Sequence, residues 1–197
     1  MKIANRMETL SPSVTMAITA LGRELKAQGK DILSFSAGEP DFDTPQIVKD
    51  AAIKAINDGQ TKYTAVEGII ATKQAIINKL KKDHNLDYKL DNILISNGAK
   101  HSLFNLFQVL VEEGDEVIIP APYWVTYPEQ VKFSDGVPVF IDTDDSTEFK
   151  ITPEQLKAAI TPKTKVLLLN TPSNPTGSVY TKEELIALGK VLEGTDI

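Results

Sequence analysis

The sequence predicts an α/β fold in which a mostly parallel sheet is flanked by helices. The chain has 197 residues, of which 42% are hydrophobic, so it can bury a substantial core. From about residue 93 onward, short apolar runs alternate with amphipathic segments that have the period of a helix. Such alternation is typical of a sheet whose faces are covered by helices.

Three helices are predicted before this alternating region. Ser11-Pro12 is typical of the N-cap and first residue of a helix, and Gly29 offers its C-cap. The second and third helices are expected over about 44–59 and 68–82. The segment that separates the first two helices, S-A-G-E-P-D-F-D-T-P, is dense in Gly, Pro and Asp, so we expect an ordered loop there.

Four strands are predicted in the alternating region, each a short apolar run rich in Val, Ile and Leu. The helices that separate them carry apolar residues on one face. The predicted strands are 93–95, 117–119, 137–141 and 166–169, and the predicted helices begin near residue 99 and span about 153–160 and 182–192.

Composition argues against several classes of partner. The net charge of -6 and a pI near 5.0 do not favour nucleic-acid binding, which needs clustered Lys and Arg. The chain has no cysteine for disulfides, and no apolar run reaches membrane-spanning length, so a cytoplasmic protein without a membrane partner is expected. His84 and His101 lack the spacing of metal ligands, so no metal site is predicted.

One candidate site lies at the predicted strand-turn-helix I-L-I-S-N-G-A-K-H-S-L-F, which places Gly98, Ala99 and Lys100 at a helix start. Free N–H groups and the helix dipole favour an anion at such a position, and glycine lets a ligand approach closely. A cation in the first turn becomes favourable if a phosphate lies beside it. The alternative is a solvated lysine after an ordinary turn.

Two more candidates follow predicted buried strands. Trp124 lies in P-A-P-Y-W-V-T-Y-P-E and could stack on a planar heteroaromatic ring, although it could also be a packing residue at the core edge. Asn174 lies between Pro172 and Pro175 in N-T-P-S-N-P-T-G, which fixes its backbone and aims its amide; the alternative is a turn-forming asparagine. Together with the anion site, these residues predict a pocket for a phosphorylated heteroaromatic cofactor.

In their order along the chain, these motifs resemble class I aminotransferases of the pyridoxal-phosphate (PLP) fold type I, in the aspartate aminotransferase subgroup. The resemblance also includes S-A-G-E-P-D-F-D-T-P and K-Y-T at 62–64, and it spans essentially all of the chain. It implies a truncated PLP-dependent transferase fold. Residues 1–42 would form the N-terminal arm and the first piece of a small domain, and residues 43–197 the first half of the large PLP-binding domain.

The resemblance implies specific cofactor contacts. Gly98, Ala99 and Lys100 would bind the phosphate, and Trp124 would stack on the pyridine ring. Asn174 would hydrogen-bond the cofactor O3′. Cis peptide bonds are expected at Ala121-Pro122 and Asn174-Pro175.

Substrate and dimer contacts are implied as well. Trp124, Asn174 and the backbone of Gly38 would contact the substrate, the last two at its α-carboxylate. Tyr63 would reach the phosphate of a neighbouring subunit, which implies a homodimer. From the residues alone, Gly38 is an ordinary loop glycine and Tyr63 a packing tyrosine.

The implied activity is transfer of an amino group between an amino acid, aspartate by the subgroup, and a 2-oxo acid such as 2-oxoglutarate. No catalytic residue is assigned, because the Schiff-base lysine of the family is absent from this chain, as are the aspartate at the pyridine nitrogen and the arginine that clamps the substrate. We therefore expect the 197-residue chain to be inactive by itself. Alternatives are an aromatic, kynurenine or prephenate aminotransferase, and a non-catalytic module that binds a ligand or a partner chain.

Overall fold

A computed structural model describes residues 2–12, 14–35, 38 and 40–197, without the side chain of Val14. The chain divides into two compact units, Met1–Pro12 with Gly98–Ile197, and Ser13–Asn97. This division concerns compactness, so the predicted domain boundary between residues 42 and 43 stays a prediction. None of the helices in the described ranges combines the length and apolarity needed to span a membrane.

The unit Ser13–Asn97 contains three helices whose ends follow the turn residues of the sequence. The chain leaves the first helix through Gly29, which has a φ of 79°, and the N–H of Lys30 donates to the carbonyl of Leu25. Gly59, with a φ of 74°, follows the second helix, as predicted. These helices are α1 (Val14–Ala27), α2 (Gln46–Asn57) and α3 (Ile70–His84).

The predicted start of α1 is wrong. Ser11 and Pro12 lie outside the helix, which is described from Val14. The reason is a tertiary contact, because the N–H of Ser11 donates to the carboxylate of Glu129 at 2.7 Å. The loop predicted between α1 and α2 lies partly outside the described residues, which omit residues 36, 37 and 39.

The other unit is built on three parallel strands in the order β2-β1-β3. In the central strand, Ile118 is opposite Val139 on one side and Leu167 on the other. The α/β prediction is therefore confirmed. The elements are α4 (Ala99–Leu110), β1 (Glu116–Ala121), α5 (Thr126–Phe133), β2 (Val137–Asp142), α6 (Pro153–Ala159), β3 (Thr164–Leu167) and α7 (Lys182–Leu192).

Two predictions about this region need correction. Residues 93–95 do not form a strand, because no described segment forms a ladder with them; the N–H of Ile95 instead donates to the carbonyl of Glu67. Helix α5 was not predicted, since its segment contains Pro128 and follows a proline-rich loop. Pro128 lies in the first turn, where a missing N–H does not cost a helical hydrogen bond.

The core lies on both faces of the sheet. Val117 and Ile119 of β1 face one way and pack against α4 and α5, whereas Ile118 faces the opposite way, towards α6 and α7. All three side chains are completely buried. The sheet is thus covered by helices on both faces, and the centre of β1 is apolar and buried, as expected for a parallel sheet.

A charged cluster joins the β2–α6 connection to α7. The ammonium of Lys150 lies 2.7 Å from the carboxylate of Glu184 and 2.8 Å from that of Glu148. The hydrogen bond from Lys150 lowers the pKa of Glu184, and the backbone N–H of Thr181 lowers it further. Glu184 also forms a capping box with Thr181, so it both caps α7 and connects it to the chain before α6.

Two glycine substitutions are expected to change stability in opposite directions. A Cβ added at Gly136 would overlap Val111 and lie 3.1 Å from Val131, so Gly136→Ala should cost about 1–3 kcal/mol in the free energy of unfolding. Gly189 is exposed in the middle of α7 and a Cβ there meets nothing, so Gly189→Ala should gain about 0.5–1 kcal/mol. Urea unfolding of both variants tests this; equal effects would contradict the packing described around β1.

Glu184→Gln should reduce stability at neutral pH but not at strongly acidic pH. Because folding lowers the pKa of Glu184, its contribution is present above the ordinary glutamate pKa and is lost as the pH falls through the lowered one. Glutamine preserves the capping box, so the difference reports the charge. Urea unfolding from pH 7 to pH 3 measures it.

Glu183→Gln is the matched control, because Glu183 lies in the same first turn of α7 but forms no ion pair with the described residues. Both variants lose a favourable helix-dipole contact. If the free energies of unfolding of the two variants show the same pH dependence, the contact between Lys150 and Glu184 contributes nothing to stability.

Candidate functional site

Three of the predicted site segments lie together in the unit built on the sheet. Trp124 follows β1, Asn174 follows β3, and Lys100 begins α4, which packs on the sheet. Because β1 and β3 are parallel neighbours, the chain leaves both at the same edge, where ligands bind in open α/β sheets.

The start of α4 is open to solvent. Gly98 is its N-cap with a φ of 83°, and a Cβ at this position would meet no atom within 4 Å. Since glycine has no side chain, it cannot cover the N–H groups of the first turn. The first turn also contains no acidic residue that would compete with an anion.

Lys100 brings this helix start to Trp124. Its Nζ lies 5.1 Å from the centroid of the indole ring, within the range of a cation–π contact. The predicted phosphate-binding lysine and the predicted stacking ring are therefore neighbours. Ala99 precedes Lys100 in the first turn of the helix.

Trp124 is held by Tyr127, one turn further along the chain. Their ring centroids are 5.4 Å apart at an interplanar angle of 87°, the T-shaped arrangement that aromatic pairs favour. Tyr127 is itself buried in the core beneath the site, in contact with the β1 layer. The orientation of the indole is thus tied to the packing of the sheet.

The Asn174 loop is compact and strongly bent. Its peptide bonds at Thr171-Pro172 and Asn174-Pro175 are cis, as is Ala121-Pro122; the two predicted cis bonds are confirmed and the third was not predicted. The N–H of Gly177 donates to the carbonyl of Ser173 at 2.8 Å, which closes the turn around Asn174. This hydrogen bond restricts the backbone around Asn174, whose side chain is exposed.

Tyr127 also connects the two loops. Its hydroxyl donates to the Oδ1 of Asn170 at 2.7 Å, and the amide of Asn170 donates in turn to the carbonyl of Pro172. Burial raises the pKa of the Tyr127 hydroxyl, so this group remains a protonated donor at neutral pH. Tyr127, Asn170 and Asn174 line a common small cavity of about 20 Å³.

The predicted site residues fall into two groups. Gly98, Ala99, Lys100, Trp124 and Asn174 all lie in the sheet-containing unit. Gly38 and Tyr63 lie in the other unit, where both are exposed and Tyr63 is fully so. Their roles in binding stay predictions.

Tyr127 and Gln130 were not predicted as site residues. The buried Gln130 donates from its Nε2 to the carbonyl of Lys100 at 2.8 Å. The available signal was the position of Gln130, a polar residue one helical turn after Tyr127 in the segment that follows Trp124. It could not be used because the helix itself was not predicted.

These groups fit a phosphorylated, planar ligand such as PLP. An uncapped helix start and an ammonium group suit a phosphate, an indole suits a flat ring, and an amide suits a ring hydroxyl or a carboxylate. The small cavity beneath the site is about the size of one water molecule, so a ring of this kind would lie outside it, against Trp124.

Comparisons with known proteins point to one family. A family model described as aminotransferase class I and II matches residues 30–196 of this chain. The chain is 58% identical to the aspartate aminotransferase of Geobacillus stearothermophilus, covering 97% of this chain and 49% of that protein. It is 55% identical to the aspartate/prephenate aminotransferase of Nitrosomonas europaea, with coverage of 98% and 48%.

A solved structure gives the same result. The aspartate aminotransferase of Rhizobium meliloti superposes with a TM-score of 0.93 at 44% identity, covering 98% of this chain and 48% of that one. The chain therefore spans about half the length of the relatives it matches.

Lys100→Gln should weaken phosphate binding. The substitution removes a positive charge beside the helix start, so the dissociation constant of inorganic phosphate, measured by calorimetric titration, should rise about tenfold. Lys157→Gln is the matched control, since Lys157 is an exposed lysine of α6, which packs on the opposite face of the sheet. Equal effects of the two substitutions would refute a specific role for Lys100.

Proposed function

This chain belongs to the class I and II aminotransferase family, and we propose that it is the amino-terminal half of an aspartate aminotransferase. The reaction moves an amino group from aspartate to a 2-oxo acid, 2-oxoglutarate, by way of PLP. The observation that carries the proposal is the grouping of Lys100, Trp124 and Asn174 around Tyr127 at the end of β1 and β3. The names of the relatives support the choice of reaction.

Each of these residues has a separate task in the proposal. The start of α4 and the ammonium of Lys100 hold the cofactor phosphate, with Gly98 allowing its close approach. Trp124 holds the pyridine ring on one face and excludes water from it. The amide of Asn174 orients the ring hydroxyl and the substrate α-carboxylate. When bound, the cofactor supplies the electron sink for the amino-group transfer.

The remaining proposed contacts involve the other unit and a second subunit. The backbone of Gly38 binds the substrate α-carboxylate, and Tyr63 reaches the phosphate held by a partner chain in a homodimer. The full exposure of Tyr63 supports this role, because its hydroxyl is available to such a partner. A cytoplasmic location and a place in amino acid metabolism complete the proposal.

The groups that complete the chemistry belong to the half of the relatives that this chain does not match. We place there the lysine that bonds to the cofactor, the aspartate at the pyridine nitrogen and the arginine that binds the substrate carboxylate. Lys100 does not replace this lysine in the proposal, because its ammonium lies at the phosphate end of the site, over Trp124.

A second candidate is an aspartate/prephenate aminotransferase, because the relative from Nitrosomonas europaea has that name at 55% identity. The residues described above bind groups that both substrates share, so they support either activity. Parallel assays with prephenate and aspartate as substrates of the whole protein distinguish the two. A non-catalytic module would transaminate neither of them.

The 197-residue chain should have no transaminase activity, whereas the whole protein should be active with aspartate and 2-oxoglutarate. The reason is that turnover requires the lysine and arginine placed in the other half. Both forms are assayed with added PLP, and quenching of Trp124 fluorescence reports whether the short chain binds it. Sustained turnover by the short chain would contradict the assignment of these groups. An inactive whole protein that binds PLP would favour the module.

A further inference from the structure

One face of α5 connects all three segments of the proposed site. Tyr127 and Gln130 are three residues apart, so they lie on the same side of the helix, one turn from each other. Both are buried, and each makes a side-chain hydrogen bond to a different segment: Tyr127 to the Asn174 loop and Gln130 to the start of α4.

The Tyr127 contact reaches Asn174 through a relay. Asn170 accepts from the Tyr127 hydroxyl and donates to the carbonyl of Pro172, so the first half of the loop is tied to α5. The turn from Ser173 to Gly177 then holds Asn174 relative to Pro172. Removal of the Tyr127 hydroxyl should therefore alter the position of the loop that carries the amide of Asn174.

The Gln130 contact fixes the helix start. Its amide donates to the carbonyl of Lys100, in the first turn of α4. Gln130 is 7% exposed, and its Oε1 has no hydrogen-bond partner among the described residues. Because a buried amide N–H is costly to leave unpaired, this contact ties the Gln130 side chain to the first turn of α4.

Helix α5 can serve as a rigid reference for both contacts. Val131, which directly follows Gln130, is completely buried against the β1 layer, and Tyr127 belongs to the same core cluster. Trp124 lies immediately before the helix, and its carbonyl accepts from the N–H of Tyr127 at 3.0 Å. The ring, the amide and the phosphate site thus share one anchored element.

We propose that Tyr127 and Gln130 are positioning residues of the aminotransferase site, Tyr127 for Asn174 and Gln130 for the phosphate-binding start of α4. This inference rests on the proposed function. Neither residue touches the reacting atoms; each holds a segment that does. The two act independently, because they reach different segments.

Hydrogen exchange of the whole protein, measured on peptides by mass spectrometry, tests this. Tyr127→Phe retains the ring against Trp124 and removes the hydroxyl alone, so exchange in residues 170–178 should quicken about threefold to tenfold. Gln130→Leu should quicken residues 101–105 by a similar factor. Residues 117–119 should be unchanged in both variants.

Two controls separate positioning from general stability. Gln108→Leu removes another α4–α5 hydrogen bond, from Gln108 to Ser134 at the far end of α4, and should leave residues 101–105 unchanged. Asn170→Ala and Tyr127→Phe should not add in the double variant, because they break the same relay. Uniform quickening that includes residues 117–119, or no quickening in either segment, would overturn the proposal.

The affinity for PLP distinguishes this proposal from the proposed function. Tyr127→Phe and Gln130→Leu should each raise the dissociation constant of PLP about threefold to tenfold in the whole protein. If the unaltered protein does not bind PLP, the proposed function fails, while local exchange changes would still establish that α5 positions the two segments. If PLP binds equally to all variants, the positioning roles are refuted and the proposed function stands.

Discussion

The complete burial of the centre of β1, residues 117–119, between two layers of helices is the constraint on which the rest of the structure depends. Its side chains alternate between the two faces, so Val117 and Ile119 hold α4 and α5 while Ile118 holds α6 and α7. The side chains at the centre of β1 are thus committed to the core, and Trp124 and Asn174 lie beyond the ends of β1 and β3. The candidate site at the end of β1 follows from this packing, because a buried strand has no other place for such groups.

The same packing also positions polar groups of the candidate site. Tyr127 contributes its ring to the core and its hydroxyl to the loop that follows β3, so one side chain connects the two. Trp124 is oriented against that ring. A ligand that stacks on Trp124 would thus be positioned by contacts that the fold already requires, and little additional ordering would be needed when it binds.

How much of the fold and of the candidate site could be predicted from sequence depended on whether the signal for each feature is local. Helix α7 was predicted with its observed ends from its amphipathic pattern, which is a local signal; the structure adds a capping box, Thr181 with Glu184, which is local as well. The segment 93–95 has the apolar pattern of a strand, but a strand also requires a ladder partner, and no local pattern supplies one. Helix α5 was missed since Pro128, together with the prolines that precede the helix, is typical of a loop. The candidate site residues were predicted from motifs, whereas the position of Tyr127 depends on a contact 43 residues away in sequence.

The helices of the unit Ser13–Asn97 expose several large apolar side chains. Scattered exposed apolar residues are ordinary, but α2 exposes Ile47, Ile53 and Ile56 together, and α1 exposes Leu21. Surfaces of this kind mark interfaces, because their exposure favours association. The proposed second half and partner subunit would cover them, and that burial would add to the stability of the folded state.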